Sequence, residues 1–334
     1  MVLYVIGLGL ADEKDITLRG LEAIRSSSRV YLEAYTSILM LSDTSALEKL
    51  WGKSVILAHR ETVELEADDI IRDCKDGNVS FCVVGDPLSA TTHTDLILRA
   101  KASGATVRVV HNASIMTAIA SSGLQPYNFG QTVSVPFAQV DSWLPRIAEN
   151  LQHGMHTLVL GDIKVREQSE EDMARGIQRY QPPRYMLIPQ LIEKLLSASE
   201  AHSQGLATSS LPVAPILNAQ STLAVALCRM GAESEGIFAG TLAELLALAA
   251  ATPEEARAEE EMDDADELAS EAELDKRRAQ RAEERAHTAF GAPLHSLVIV
   301  GSRIHDMEAR YAGQYKVKGS RWDDVAREVY GCRD

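Results

Sequence analysis

The sequence predicts an α/β protein made of two α/β halves. Three observations carry that expectation. Five short apolar, β-branched runs alternate with helix-patterned stretches within the first 110 or so residues, and parallel strands need helical crossovers of that kind. The alternation then resumes in the second part of the chain. Hydrophobic content of 46% and charged content of 24% are those of a globular protein, and 334 residues suffice for two cores.

In chain order, Val2 to Leu10 is an apolar run ending in Gly7-Leu8-Gly9-Leu10, the signature of a buried strand followed by a tight loop. Ile16, Leu18, Leu21 and Ile24 follow at near-helical spacing, with Thr17 as N-cap. Arg29 to Tyr35, Val55 to Ala58, Val79 to Val84 and Thr106 to His111 supply four more strands, with an acidic amphipathic helix from Val63 to Cys74 between them. In the second half, Ser114 to Ser122 reads as a helix for which Asn112 and Ser114 are both candidate caps. Trp143 to Leu151 is a further helix and His156 to Leu160 a strand. Met173, Ile177 and Tyr180 are spaced as on one helix face, and Leu191 to Leu196 is helical. A Ser/Ala-rich stretch to Leu211 reads as an extended loop. Strands are expected at Thr222 to Cys228, Gly236 to Ala239 and His295 to Val300.

Pro253 to His287 breaks the composition. It holds 14 acidic residues against 6 Lys or Arg, about half of the chain's net charge of -15, and too few apolar residues to bury a face. The segment is expected to be an exposed helix or helical hairpin. The overall negative charge argues against a nucleic-acid binder. Four dispersed cysteines without a CxxC pair point away from disulfides and zinc, and no apolar run reaches 18 residues. A cytoplasmic protein with no membrane span is the expectation.

The stretch that carries chemistry is Phe81 to Leu98. A strand-like run breaks at Gly85-Asp86-Pro87 and restarts as a helix after Thr91-Thr92. In parallel α/β sheets, ligands lie at the carboxyl ends of the strands, where such loops sit. Gly7 and Gly9 invite a dinucleotide reading, with Glu33 as ribose-binding acid. The third glycine of that fingerprint is replaced by Asp12, a negative charge beside the expected pyrophosphate.

The run GDPLSATTHTDLILRAK, with MVLYVIGLGLADEKDITLRGLEAI before it and VRVVHNASIMTAIASSGLQPYNFGQTVSVPF after it, resembles the diphthine synthases (diphthine methyl ester synthases). These are diphthamide-pathway methyltransferases of the tetrapyrrole methylase superfamily. HTLVLGDIKVREQSEEDMARG, PPRYM and GAPLHSLVIVG agree, and the resemblance excludes roughly residues 191 to 222 and 249 to 289. It implies two α/β domains of tetrapyrrole methylase type, residues 1–112 and 113–334, with the cofactor cleft between them and an acidic insertion at about 249–289. It also implies S-adenosylmethionine as methyl donor, with S-adenosylhomocysteine as product. Matching motifs assign cofactor contacts to Leu10, Asp86, Ser89, Ser114, Ile115, Gly161, Met230 and His295. Ser89 stands where glycine is common in the family, and Gly161 where leucine is common. The acceptor implied is a modified histidine of translation elongation factor 2, methylated on its amino group and, in eukaryotic members, on a carboxylate. A homodimer is implied as well.

Methyl transfer from a sulfonium needs no metal and no covalent enzyme intermediate, and positioning supplies much of the acceleration. A carboxylate on the sulfur would stabilise the ground state more than the charge-dispersed transition state, so Asp86 is expected at the cofactor's polar groups. Amine methylation requires a lost proton, for which His93, His111 and His295 are candidates. Asp162 and Lys164 are candidates for recognising the charged acceptor, and Arg166, Arg175, Arg179 and Arg184 for docking the protein partner. Two other readings stand beside this one: a small-molecule tetrapyrrole methylase, and a non-catalytic cofactor-binding chaperone of the elongation factor.

Overall fold

The computed structural model describes residues 2–35, 39–64, 67–204, 216–265 and 269–333. The chain divides into two compact units. The first comprises Met1–Ala118, Ile163–Arg184 and Arg229–Ser234, and the second Ile119–Asp162, Tyr185–Cys228 and Glu235–Asp334.

The first unit is a five-stranded sheet of β1 (Val2–Gly7), β2 (Arg29–Glu33), β3 (Val55–Ala58), β4 (Val79–Val83) and β5 (Thr106–Val110). The order is β3-β2-β4-β1-β5, and every pairing is parallel. All five strands therefore lie where the apolar runs placed them. All of β4 is buried, as a central parallel strand covered on both faces must be. Successive residues serve opposite layers: Leu3, Val5, Phe81 and Val83 join one core, and Ile6, Leu8, Cys82 and Val84 the other.

The helix Leu18–Ser26 is capped by Thr17, whose hydroxyl accepts from Gly20 N at 3.0 Å. It buries Gly20, Ala23 and Ile24, while Leu18 is 79% exposed and so lies off the core face its spacing suggested. The acidic helix is two short ones, Arg60–Glu64 and Ala67–Asp73, the second burying Ala67, Ile70 and Ile71.

The second unit carries β6 (Val133–Val135), β7 (Thr157–Gly161), β10 (Leu223–Cys228), β11 (Gly236–Thr241) and β12 (His295–Ile299); the two-residue strands β8 (Ile163–Lys164) and β9 (Arg184–Tyr185) pair with each other. Its sheet order is β11-β10-β12-β7-β6, antiparallel except for β6 on β7. The helix Ile188–Ser203 packs Ile188, Leu191, Ile192 and Leu195 into the core. It runs through much of the Ser/Ala-rich stretch expected as a loop; positions 205–215 lie outside the described residues.

A second expectation fails at Met173, Ile177 and Tyr180. The helix there spans only Glu170–Ala174, Gly176 takes φ +66°, and all three side chains are exposed. Apolar spacing without a face to bury does not sustain a helix.

The acidic segment forms helices Pro253–Ala265 and Glu271–Phe290. Arg278 and Arg281 reach Asp263 at 2.8 and 3.0 Å, and Arg285 reaches Glu259 at 2.5 Å. Charge pairing thus joins the helices where apolar residues are scarce, and Ala286 and Phe290 anchor the second one in the core.

Glu308, 2% exposed, is the polar centre of this unit. It accepts from Gln125 N and His305 N at 2.6 Å each, from the Asn128 amide at 3.2 Å and from His156 Nε2 at 3.4 Å. His156 Nδ1 accepts from Gly301 N at 3.0 Å, so the imidazole carries its proton on Nε2. Burial lowers the His156 pKa, and the hydrogen bonds Glu308 receives outweigh its own burial and hold its carboxyl low.

Candidate active site

In the first unit the loops after β1, β4 and β5 close on one another. Leu8 N donates to Val83 O at 2.8 Å, Gly85 N to Gly9 O at 2.7 Å, and Gly9 N to Gly85 O at 3.3 Å. Gly7 is required by close approach, since a Cβ there would lie 2.5 Å from Gly85 O and 2.8 Å from Asn112 Cβ. Asp15 Oδ2 accepts from Leu10 N at 3.1 Å and from Ala11 N at 2.7 Å. A carboxylate thus already satisfies the amides a dinucleotide pyrophosphate would need. Glu33 Oε1 accepts from Tyr35 N at 2.9 Å, so it too is engaged within its own loop. The dinucleotide reading of Gly7, Gly9 and Glu33 has no footing in this geometry.

Asp86 ties the cluster together. Its Oδ1 accepts from Leu88 N at 2.9 Å and Ser89 Oγ at 3.4 Å, and its Oδ2 contacts His111 Nδ1 at 2.7 Å and accepts from Asn112 N at 3.2 Å. Burial pushes this carboxyl up, but hydrogen bonds from Leu88, His111 and Asn112 outweigh it and hold the pKa below the usual value. Four contacts match the roughly four lone-pair sites of a carboxylate. The residue therefore joins the loop after β4 to the loop after β5.

Asn112 extends the tie, its amide donating to Gly7 O and Asp15 O at 3.0 Å each. Its side chain links loops rather than capping the next helix. Ser114 is not a side-chain cap either: it is 4% exposed, its backbone carbonyl accepts from Thr117 and Ala118, and its Oγ is buried with no hydrogen-bond partner among the described residues. A buried hydroxyl without a partner costs about 1–3 kcal/mol, which a ligand hydrogen bond would recover. Ser114 lies beside Gly85, and Ile115 next to it is half-buried. Ser89 does not take a positive φ; Ala90 does, at +57°. The serine at 89 thus carries no left-handed backbone penalty.

The segment Arg229–Ser234 belongs to this unit. A Cβ on Gly231, at φ +87°, would meet Leu10 Cβ at 3.0 Å, and Met230 is buried beside it in sequence. Leu10 and the Met230 loop are therefore neighbours, an apolar contact the sequence motifs named separately. In the second unit, a Cβ on Gly161 would meet Met186 Cβ at 3.0 Å, so a larger residue there would require Met186 to give way by a few tenths of an ångström. His295 is buried at the start of β12, with Nε2 donating to Gly291 O and Ala292 O at 3.1 Å each.

The candidate proton acceptors separate clearly. His93 is fully buried among aromatic edges, with ring centroids 5.1 Å from Phe81 and 6.1 Å from Tyr35, and burial lowers its pKa to about 4. His111 Nδ1 is committed to Asp86, and His295 Nε2 to backbone carbonyls. His59, which follows β3, lies in none of the quoted motifs and is not among the sequence candidates. Its Nδ1 is buried and lacks a hydrogen-bond partner among the described residues, and its pKa is lowered by burial first and the Arg166 charge second. Among the docking candidates, Arg175, Arg179 and Arg184 pair with Glu171, Asp172 and Glu167. Asp162 accepts from Phe137 N at 2.9 Å.

Residues 2–200 match the family model of the tetrapyrrole (corrin/porphyrin) methylases. The chain belongs to that family and is a methyltransferase by class. It is 43% identical over 335 residues to the diphthine methyl ester synthase of Gibberella zeae, with 99% of each chain covered. Identity to the Saccharomyces cerevisiae enzyme of the same name is 44%, covering 93% of this chain and 88% of the other. A solved diphthine synthase structure superposes with a TM-score of 0.71 at 26% identity, covering 98% of this chain and 100% of that one. Within the tetrapyrrole methylases the chain thus falls in the diphthine methyl ester synthase family. No described helix is long and apolar enough to cross a membrane.

Proposed function

We propose that this protein transfers methyl groups from S-adenosylmethionine to the modified histidine of translation elongation factor 2, in diphthamide biosynthesis. The amino group becomes a trimethylammonium and the carboxylate a methyl ester. Near full-length identity of 42–45% to diphthine methyl ester synthases carries the reading. The residues of the first unit fit the cofactor on their own chemistry. The unpartnered Ser114 hydroxyl offers a hydrogen bond, the glycine pairing at 9 and 85 brings backbone into reach, and Leu10 and Met230 supply apolar surface.

The bound cofactor supplies an electrophilic methyl group on a sulfonium. The chain's task is then to hold and orient the partners and exclude water. Asp86 acts beneath the cofactor loops by fixing their backbone, and its filled coordination keeps a bare carboxylate away from the sulfonium. Leu10, Ser89, Ser114, Ile115 and Met230 are assigned as contacts from the first unit, and Gly161 and His295 from the second. We further propose a cytoplasmic location, supported by the dispersed cysteines and the lack of a long apolar run in the sequence, and a homodimer, as the family resemblance implies. Calorimetry with S-adenosylmethionine and with NADH tests the assignment. Saturable binding of the first and no response to the second supports it; the reverse overturns it.

A further inference from the structure

The sheet of the first unit ends at β5, and that edge is open. β5 pairs only with β1, and among the described residues no backbone group of Thr106–Val110 bonds outside that pairing. An unpaired edge of this kind is a template for one more strand. A groove of about 550 Å³ runs beside it, lined by Arg19, Glu22 and Ala23 of the helix Leu18–Ser26 and by Tyr4, Arg108 and Val110 of the sheet. The three helix residues share one face at i, i+3 and i+4, and Arg108 and Val110, two apart, share one face of β5. Tyr4, half-buried, is the register partner of Arg108. Ala23 and Val110 belong to the core layer beneath and Tyr4 packs against it, which gives the groove an apolar floor.

The groove is also charged. Arg19 and Arg108 are exposed, and among the described residues neither has a hydrogen bond or an ion pair. By contrast Arg25, Arg29, Arg72 and Arg99 of the same unit are each engaged, with Leu50 O, Asp73, Asp69 and Asp68. Glu22 lines the groove too, so two guanidinium groups against one carboxylate leave it positive in a chain of net charge -15. The end of β5 leads straight into the site loops, since Val110 is followed by His111 and Asn112, which hold Asp86.

We propose that this groove docks an extended, acidic segment of the protein that carries the acceptor histidine, added to β5 as a sixth strand. The inference rests on the methyltransferase reading above and adds where the protein substrate is gripped. Backbone pairing with β5 supplies affinity, and carboxylates on alternate residues of the segment meet the planar forks of Arg108 and Arg19. A second copy of this chain suits the edge less well. Antiparallel pairing of Thr106–Val110 about its middle residue would set two Arg108 side chains opposite each other, a destabilising like-charge pair.

The test uses the full-length protein. R19E/R108E should raise the KM for elongation factor 2 bearing the unmethylated intermediate by roughly five- to thirtyfold, because each exposed pair is modest and reversal turns attraction into repulsion. The kcat, and S-adenosylmethionine affinity by calorimetry, should stay within about twofold, the pattern of lost uniform binding, and R19K/R108K should restore most of the KM. For the edge itself, a peptide of about eight residues repeating Thr-Glu should slow hydrogen exchange at amides 106–110 of the wild type, as should the elongation factor. The same peptide N-methylated on alternate residues, or repeating Thr-Lys, should not. Wild-type KM in R19E/R108E, or exchange at 106–110 indifferent to both partner and peptide, overturns the docking while leaving the methyltransferase assignment standing. Equal protection by inorganic phosphate alone makes the groove a free-anion site and overturns it as well. So does a change of oligomeric state in R108E by ultracentrifugation with KM unmoved, which gives the edge to a second copy. Wild type that binds S-adenosylmethionine but methylates nothing overturns the methyltransferase reading and the segment's owner with it. If R19E/R108E does not fold, the wild-type exchange measurements decide.

Discussion

Replacing Asp86 by Asn removes one acceptor oxygen and turns an NH2 group toward two existing donors. Depending on the amide orientation, these are Leu88 N with Ser89 Oγ or His111 Nδ1 with Asn112 N. Each hydrogen bond to an ionised group contributes on the order of 1.5–3 kcal/mol, and water offsets part of the loss because the His111 side chain is 68% exposed. D86N should therefore cost about 2–4 kcal/mol, a fall in Tm of roughly 3–6 °C for a chain of this size. S-adenosylmethionine affinity should fall in parallel as the loops loosen, and H111A should give the same pattern at smaller amplitude. The pH dependence follows from the lowered pKa. The contribution is complete above the ordinary carboxylate value of about 3.9 and is lost as pH falls through the lower folded value. Differential scanning calorimetry with and without cofactor reads both effects. A D86N protein as stable as wild type at pH 7 refutes the loop-tying role; full stability with lost cofactor affinity would put the carboxylate on the ligand.

Three further substitutions test other parts of the account. S114A removes a buried hydroxyl without a partner, so the cofactor-free protein should be as stable or more stable by thermal melting, while S-adenosylmethionine affinity drops roughly five- to tenfold. Unchanged affinity removes Ser114 from the cofactor site. E308A strands Gln125 N, His305 N and the Asn128 amide in the second unit and should cost more than about 3 kcal/mol in urea denaturation; a loss under 1 kcal/mol contradicts the buried network. H93F should flatten stability between about pH 6.5 and 4. The neutral imidazole is favoured by folding, so its stabilisation is present above the unfolded pKa of about 6.5 and lost as pH falls toward the folded value of about 4. A wild-type protein whose stability is level across that range contradicts His93 as its sensor.

The first unit was readable because a parallel strand buried on both faces writes itself as a continuous apolar run, as Val79–Val83 does; Val55–Ala58 shows the same run although its place at the sheet edge leaves Ile56 and Leu57 exposed. The Gly85-Asp86-Pro87 break likewise announced the site loop. What Asp86 does was not readable. Its partners His111 and Asn112 are 25 and 26 residues away and meet it only because β5 lies in the same sheet. Ser114 looked like a cap because serine before an apolar run usually is one, whereas here the backbone carbonyl takes the helix amides and leaves the hydroxyl over. The spacing of Met173, Ile177 and Tyr180 misled for the opposite reason: the period was present, but Gly176 ends the helix and no core lies beneath it.

The most direct test of the central claim is transfer of a labelled methyl group from S-adenosylmethionine to elongation factor 2 purified from cells lacking this step. The account predicts label on the modified histidine, with a fraction released by mild alkali as expected for a methyl ester. Protein that binds the cofactor yet leaves elongation factor 2 unlabelled, or that labels a free tetrapyrrole instead, would contradict it.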